Sequence, residues 1–252
     1  MRPIETWYRD NLFASLLEAR WAIFFDHANI PYEYEYLGYK LGELGKTWYL
    51  PDFWLPEQNA WAEIKPHSDL DSAAMKKITH FEQSLRNKFI AEGGDVMESD
   101  RTNFYVFVGS PYFNGRQHTY EVFQLWPRGE PLDIKEVNNQ PLEDASELKL
   151  TSSSTRWINC PFCERISLGY WFEQVRDVCN RAIEEIVCCR YCWGYKSGYY
   201  PKPKPGGGAT WHTYSDGSRV HTNRIGYVLG SPQLMKGYRA AQSFKAPRKG
   251  SK

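Results

Sequence analysis

The sequence predicts an α/β fold: a core ordered helix, three strands, helix, strand, then a small cysteine-bearing module and a basic C-terminal tail. Three observations carry this expectation. Apolar residues near the N-terminus recur at helical spacing and are followed by short aromatic and β-branched runs punctuated by Pro and Gly. A second helical stripe precedes one continuous apolar strand. Two Cys-x-x-Cys pairs then stand about 25 residues apart.

The first helix is expected from about Glu5 to Ala28, with Leu12, Leu16, Ala19 and Ile23 on its apolar stripe and Phe13, Leu17, Phe24 and Phe25 widening it. Leu17 and Trp21 flank Glu18 and place that glutamate at the edge of the buried face. Asn29-Ile30-Pro31 stops the helix. Tyr32 to Tyr36 alternates strictly and predicts a half-exposed strand, and Gly38 to Lys46 predicts a loop. Strands are expected over Trp48 to Leu55 and Ala60 to Lys65, paired as a hairpin across the turn residues Pro56 to Asn59. Met75, Ile78, Phe81, Leu85 and Phe89 stripe a helix over about Ser72 to Ala91, which Gly93-Gly94 stops. Its Lys76, Lys77, Arg86 and Lys88 form either a solvated face or a phosphate-steering one. Asn103 to Gly109 has the composition of a buried strand, which the crossover helix allows to add in parallel. Thr119 to Trp126 suggests one more strand.

Chemistry concentrates in two of these strands. Alternation puts Glu63 and Lys65 on one face of the Ala60 to Lys65 strand and turns Ala62 and Ile64 the other way. With the neighbouring strand alongside, Asp52 projects toward the same strand end. Two carboxylates and an amine then converge. Carboxylate oxygens suit Mg²⁺, which takes one or two of them and keeps several waters; Mn²⁺ accepts the same donors. Lys65 is placed to orient a water or to offset charge that develops in a transition state.

Pro51-Asp52 followed by Glu63-Ile64-Lys65 resembles the signature of the PD-(D/E)XK nuclease superfamily, which includes restriction endonucleases, resolvases, very-short-patch repair endonucleases and transposase nuclease subunits. The helix and strand upstream, Ser15 to Phe25 and Ile30 to Glu35, add to the likeness, which covers about the first half of the chain. The resemblance implies a restriction-endonuclease-like core and Mg²⁺-dependent hydrolysis of phosphodiester bonds in DNA. It implies Asp52, Glu63 and the Ile64 carbonyl as metal ligands, Lys65 as the residue that positions or activates water, and Glu18 as a further member of the catalytic set. Many members act as dimers or within larger complexes, so a homodimer or a recombination complex is an expected partner state.

Cys160, Cys163, Cys189 and Cys192 have the pairing that closes a tetrahedral Zn²⁺ site, structural because all four positions are filled by protein. Cys188 is an alternative to Cys189. Trp171, Val175, Val178, Ala182, Ile183 and Ile186 predict a helix between the pairs, with Cys179 near its apolar stripe, and the module looks like an expanded zinc ribbon.

Composition divides the chain into a nuclease-like domain at 1–128, an acidic linker at 129–156, the zinc module at 157–195 and the tail at 196–252. The tail holds 11 Lys/Arg against one acid, Asp216, a net of +10; since the whole chain is +1, the rest carries −9. That asymmetry points to a polyanionic partner such as DNA, or to a solvated tail. Within the tail, Trp211 to His221 predicts a hairpin around Asp216-Gly217. Gln233 to Phe244 predicts an amphipathic helix with Leu234, Tyr238 and Ala241 on one side and Lys236, Arg239 and Lys245 elsewhere. An aromatic fraction of 16% marks a globular chain. There is no run of about 18 apolar residues and no apolar signal core at the N-terminus, so the expectation is no membrane partner and a cytoplasmic location.

Overall fold

The computed structural model describes residues 3–41, 47–66, 77–78, 80–82, 84–85, 91–93, 103–113, 118–124, 155–159, 165–176, 182–188, 211–213, 219–221 and 231–245. The architecture is mixed α/β. Two compact units interleave along the chain: Pro31–Gly109 with Val122–Ser152, and Met1–Ile30 with Ser110–Glu121 and Ser153–Lys252. No helix among the described residues is long and apolar enough to cross a membrane.

The unit that begins at Pro31 is built on a five-stranded sheet. Its strands are β3 (Glu33–Tyr34), β6 (Phe53–Leu55), β7 (Ala60–Lys65), β8 (Asn103–Val108) and β9 (Glu121–Gln124), in that spatial order. β6 and β7 form the expected antiparallel hairpin, with Phe53 opposite Ala62 and Leu55 opposite Ala60. The turn between them is a short 3-10 helix, Pro56–Gln58, closed by Asn59 at φ 43. β8 adds parallel to β7, with Glu63 beside Val106 and Lys65 beside Val108.

Trp48 to Leu55 is two strands rather than one. β5 (Thr47–Tyr49) leaves the main sheet and pairs antiparallel with β4 (Tyr39–Leu41), which lies inside the expected loop. Pro51 has no N–H to give a ladder, and the chain bends at Asp52, whose carbonyl accepts from the Glu35 N–H at 2.9 Å. Glu35 itself sits at φ 47, which ends β3 after two residues of the expected five-residue alternation.

One face of this sheet is a cluster of Tyr49, Trp61, Phe104, Val106, Val108 and Phe123 packed with Ile78, Phe81 and Leu85. Lys77, Ile78, His80, Phe81, Glu82, Ser84, Leu85 and Ala91 are helical, in agreement with the striped helix; its remaining residues lie outside those described. Tyr105 and Phe107, on the other face of β8, are buried as well, so this central strand is apolar on both sides.

The second unit opens with a hairpin where the sequence suggested helix: β1 (Thr6–Tyr8) and β2 (Asn11–Phe13), with Trp7 opposite Leu12. Thr, Trp and Tyr favour a pleated surface, and Arg9 takes the turn at φ 50. Helix α1 (Leu16–Ala28) therefore starts late, on the Ser15 cap. It ends in a Schellman arrangement. Asn29 adopts φ 54, its N–H reaches the Asp26 carbonyl, and the Ile30 N–H reaches the Phe25 carbonyl at 2.8 Å.

Helix α2 (Pro232–Ser243) is the expected amphipathic helix, but it is no loose tail. Leu234, Gly237, Tyr238 and Ala241 are buried, and α2 packs along α1. Tyr238 stacks on Phe24 at 4.7 Å between ring centroids. A Cβ at Gly237 would come within 2.8 Å of the Phe24 ring and of its carbonyl oxygen, so the close approach of the helices requires glycine. The Gln233 amide donates to the Ala28 carbonyl at 2.7 Å and so satisfies one of the orphan acceptors at the end of α1.

The segment around the cysteine pairs is a second correction. β10 (Thr155–Asn159), β11 (Ile166–Arg176) and β12 (Ala182–Cys188) form an antiparallel sheet in that order, and β11 and β12 replace the expected helix. Apolar residues at helical spacing also fit two adjacent strands, and the aromatic and β-branched content of Tyr170-Trp171-Phe172 and Ile186-Val187 decides for strands. The tail hairpin is present as β13 (Trp211–Thr213) and β14 (Arg219–His221), with Trp211 opposite His221. Asp216-Gly217, the residues 129–154 of the acidic linker, and Cys179 lie outside the described residues.

Candidate functional site

The three residues that the strand pattern singled out are brought together where the N-terminal end of β6 meets the C-terminal end of β7. β7 holds Glu63 and Lys65 on the same side, as alternation requires. Asp52 enters from the bend before β6, and its Oδ2 accepts from the Ile64 N–H at 2.7 Å. That bond fixes Asp52 against the backbone between Glu63 and Lys65.

Glu63 is only 5% exposed, and each of its carboxylate oxygens has a partner. Oε1 receives the Lys65 ammonium at 2.5 Å, and Oε2 accepts the Tyr49 hydroxyl at 2.6 Å. A buried carboxylate without partners would be costly, and these two contacts offset that cost. The Lys65 side chain stays 22% exposed at the rim of the site. Tyr49 is buried, and its ring rests against Phe81 at 5.0 Å. Burial, followed by the nearby Glu63 and Asp52 charges, pushes its phenol far above the ordinary tyrosine range, so Tyr49 acts as a fixed hydrogen-bond donor.

Tyr49 is the member of this group that sequence reasoning missed. It stands three residues before Asp52, but it reaches Glu63 because β5 folds back on β4 beneath the sheet face. The only available signal was its place in the same apolar run as Pro51-Asp52.

Glu18 belongs to the other unit, and its local role is clear. Ser15 is the N-cap of α1: its Oγ accepts from the Glu18 N–H at 3.1 Å and donates to Glu18 Oε1 at 2.7 Å. The serine oxygen caps the amide three residues on, as in a capping box, while its hydroxyl meets the glutamate carboxylate directly; Glu18 is 8% exposed. A carboxylate in the first turn also suits the positive end of the helix.

The donor set at β6 and β7 fits a hard divalent cation. Asp52, Glu63 and the Ile64 carbonyl offer oxygen only, and an ion such as Mg²⁺ takes one or two carboxylates and fills its other positions with water. Among the described residues no cluster of three or more His, Cys, Asp or Glu is found, so two carboxylates are what this site supplies. The short Lys65–Glu63 pair shows that Glu63 Oε1 is open to a positive group.

Cys160, Cys163, Cys189 and Cys192 lie outside the described residues. The strands around them are informative. β10 and β11 meet where Asn159 pairs with Ile166, next to the first cysteine pair. β12 runs antiparallel to β11, from Ala182 opposite Arg176 to Cys188 opposite Tyr170, and so leads the chain toward that same end of the sheet.

Comparison with known protein families, curated proteins and solved structures finds no match to this chain.

Proposed function

We propose that this chain is a divalent-metal-dependent DNA endonuclease of the PD-(D/E)XK kind. The observation that carries this reading is the convergence of Asp52, Glu63 and Lys65 at one strand end, with both carboxylates hydrogen-bonded in place. In this reading Asp52, Glu63 and the Ile64 carbonyl hold Mg²⁺ or Mn²⁺. The chemistry such an ion supplies when bound is Lewis acidity toward a phosphoryl oxygen and a lowered pKa for a coordinated water. The chain supplies the rest. Asp52 and Glu63 are preorganised by the Ile64 amide and the Tyr49 hydroxyl. Lys65 leaves Glu63 to hold a water in line with the phosphorus or to offset charge on the phosphoryl oxygens. The place of Glu18 in the catalytic set rests on family likeness alone.

DNA is the proposed substrate on two grounds: the resemblance, and the exposed cationic side chains Lys236 and Arg239 on α2 with Lys245 just beyond its end. Because α2 is part of a core, DNA contact by this helix is tested by charge reversal at Lys236 and Arg239 rather than by deleting residues 231–252. A Zn²⁺ held by Cys160, Cys163, Cys189 and Cys192 serves as a structural clamp; the spacing and the direction of β12 support it. The second reading is a nucleic-acid-binding subunit of a recombination or transposition complex, inactive alone. The resting Lys65–Glu63 pair favours it, since a partner would then be needed to open the site.

The test is cleavage of supercoiled plasmid, branched duplex and single-stranded DNA with Mg²⁺ or Mn²⁺, against EDTA. Glu63→Ala and Lys65→Ala are expected to lose at least about a hundredfold in rate while remaining folded. Absence of cutting by folded wild-type chain that still binds DNA would move the conclusion to the second reading.

A further inference from the structure

We propose that Tyr49 sets the metal preference of the site by making Glu63 a one-oxygen ligand, which favours Mg²⁺ or Mn²⁺ over Ca²⁺; this rests on reading Asp52 and Glu63 as metal ligands. The two contacts on the Glu63 carboxylate are unequal. Lys65 lies at the rim, partly exposed, on a flexible stem, and its hold on Oε1 is exchangeable. Tyr49, the last residue of β5, is packed into the core. Its ring contacts Phe81, Tyr39 opposite it in the ladder contacts Phe81 at 4.6 Å, and its hydroxyl stays 2.6 Å from Oε2.

Glu63 would hold a cation through Oε1 once Lys65 has moved aside, with Oε2 kept on the Tyr49 hydroxyl. Mg²⁺ is content with single-oxygen carboxylates in a near-octahedral shell completed by water. Ca²⁺ seeks about six to eight oxygens and commonly takes a carboxylate through both. With Oε2 held back and two carboxylates among the described residues of the site, these donors are short of oxygens for Ca²⁺. Tyr49 is thus a positioning residue that acts through Glu63.

The experiment is calorimetric titration of the full chain with Mn²⁺ and with Ca²⁺, for wild type, Tyr49→Phe and Glu63→Gln. Tyr49→Phe keeps the ring and removes only the hydroxyl. It is expected to shift the preference toward Ca²⁺ by about fivefold to tenfold, the equivalent of one ordinary net hydrogen bond. Tyr49→Met, which fills the space without a hydroxyl, repeats the comparison if the phenylalanine variant unfolds. An unchanged Mn²⁺/Ca²⁺ ratio in both variants, with binding still lost in Glu63→Gln, overturns the role of Tyr49 and leaves the metal site standing. Binding of neither ion by wild type, or binding indifferent to Glu63→Gln, overturns the metal site and this proposal with it.

Discussion

Among the described residues, a hydrogen-bonded polar cluster in one unit and another in the second are built to opposite ends. At β7, Glu63 is gripped by Tyr49 and Lys65, and the cluster opens to water through Lys65. In the other unit, Tyr238 stands between Tyr120 at 2.8 Å and His118 at 3.1 Å, surrounded by Trp21, Phe24 and Phe113. Burial holds His118 toward its neutral form, with the Arg156 charge acting in the same direction, and it pushes both tyrosines up. One cluster keeps an ion pair beside solvent and can exchange a partner. The other is neutral, with both tyrosines buried and only His118 partly exposed. Buried polarity alone therefore does not mark a reactive site; retained charge together with access does.

Acidification should separate the clusters most strongly. The folded state depresses the His118 pKa from 6.5 to about 3, so below pH 6.5 the unfolded chain binds the proton first. His118 thus contributes stability that is fully present above pH 6.5 and is lost as pH falls toward about 3. The part of His118 that remains exposed makes this loss smaller than for a fully enclosed imidazole. Thermal unfolding followed across that range should show it, and His118→Asn should flatten the dependence. An equal slope in the variant would mean that the neutral cluster does not set acid stability.

Next in size is Gly237→Ala, whose Cβ would press on Phe24. A cost of about 1–3 kcal/mol, read as a fall of several degrees in Tm, is expected from overpacking. A neutral result would show that α1 and α2 separate easily. Smallest is Tyr238→Phe, which keeps the Phe24 stack but takes one hydrogen bond from each of Tyr120 and His118, at about 1 kcal/mol. Chemical denaturation measures it, and DNA cleavage should be unchanged; lost cleavage would erase the contrast between the clusters.

The two clusters also differ in how far the sequence revealed them. Glu63 and Lys65 share a face because of strict alternation over six residues, and that period is readable in the chain. Asp52 was readable through the hairpin register. Tyr49 was not, because its contact depends on a fold-back between β4 and β5 that local composition does not encode. The His118–Tyr238 pair spans 120 residues, and no local pattern announces such a meeting. The apolar stripe of α2 was legible at Leu234, Tyr238 and Ala241, but not that α1 would be the surface to receive it. β11 and β12 were misread because their apolar residues satisfy both periods; pairing between strands, a non-local event, resolves them.

The Gln233 bond to the Ala28 carbonyl joins residues 205 positions apart, and Tyr238 stacks on a ring of the same N-terminal helix. On a ribosome, α1 emerges early and waits with Phe24 and Phe25 uncovered until α2 has been made. Contacts of such long range carry a large loop-closure cost and fold slowly. Translation order thus makes this unit the last to close, and chaperone occupancy during synthesis should centre on residues 16–28.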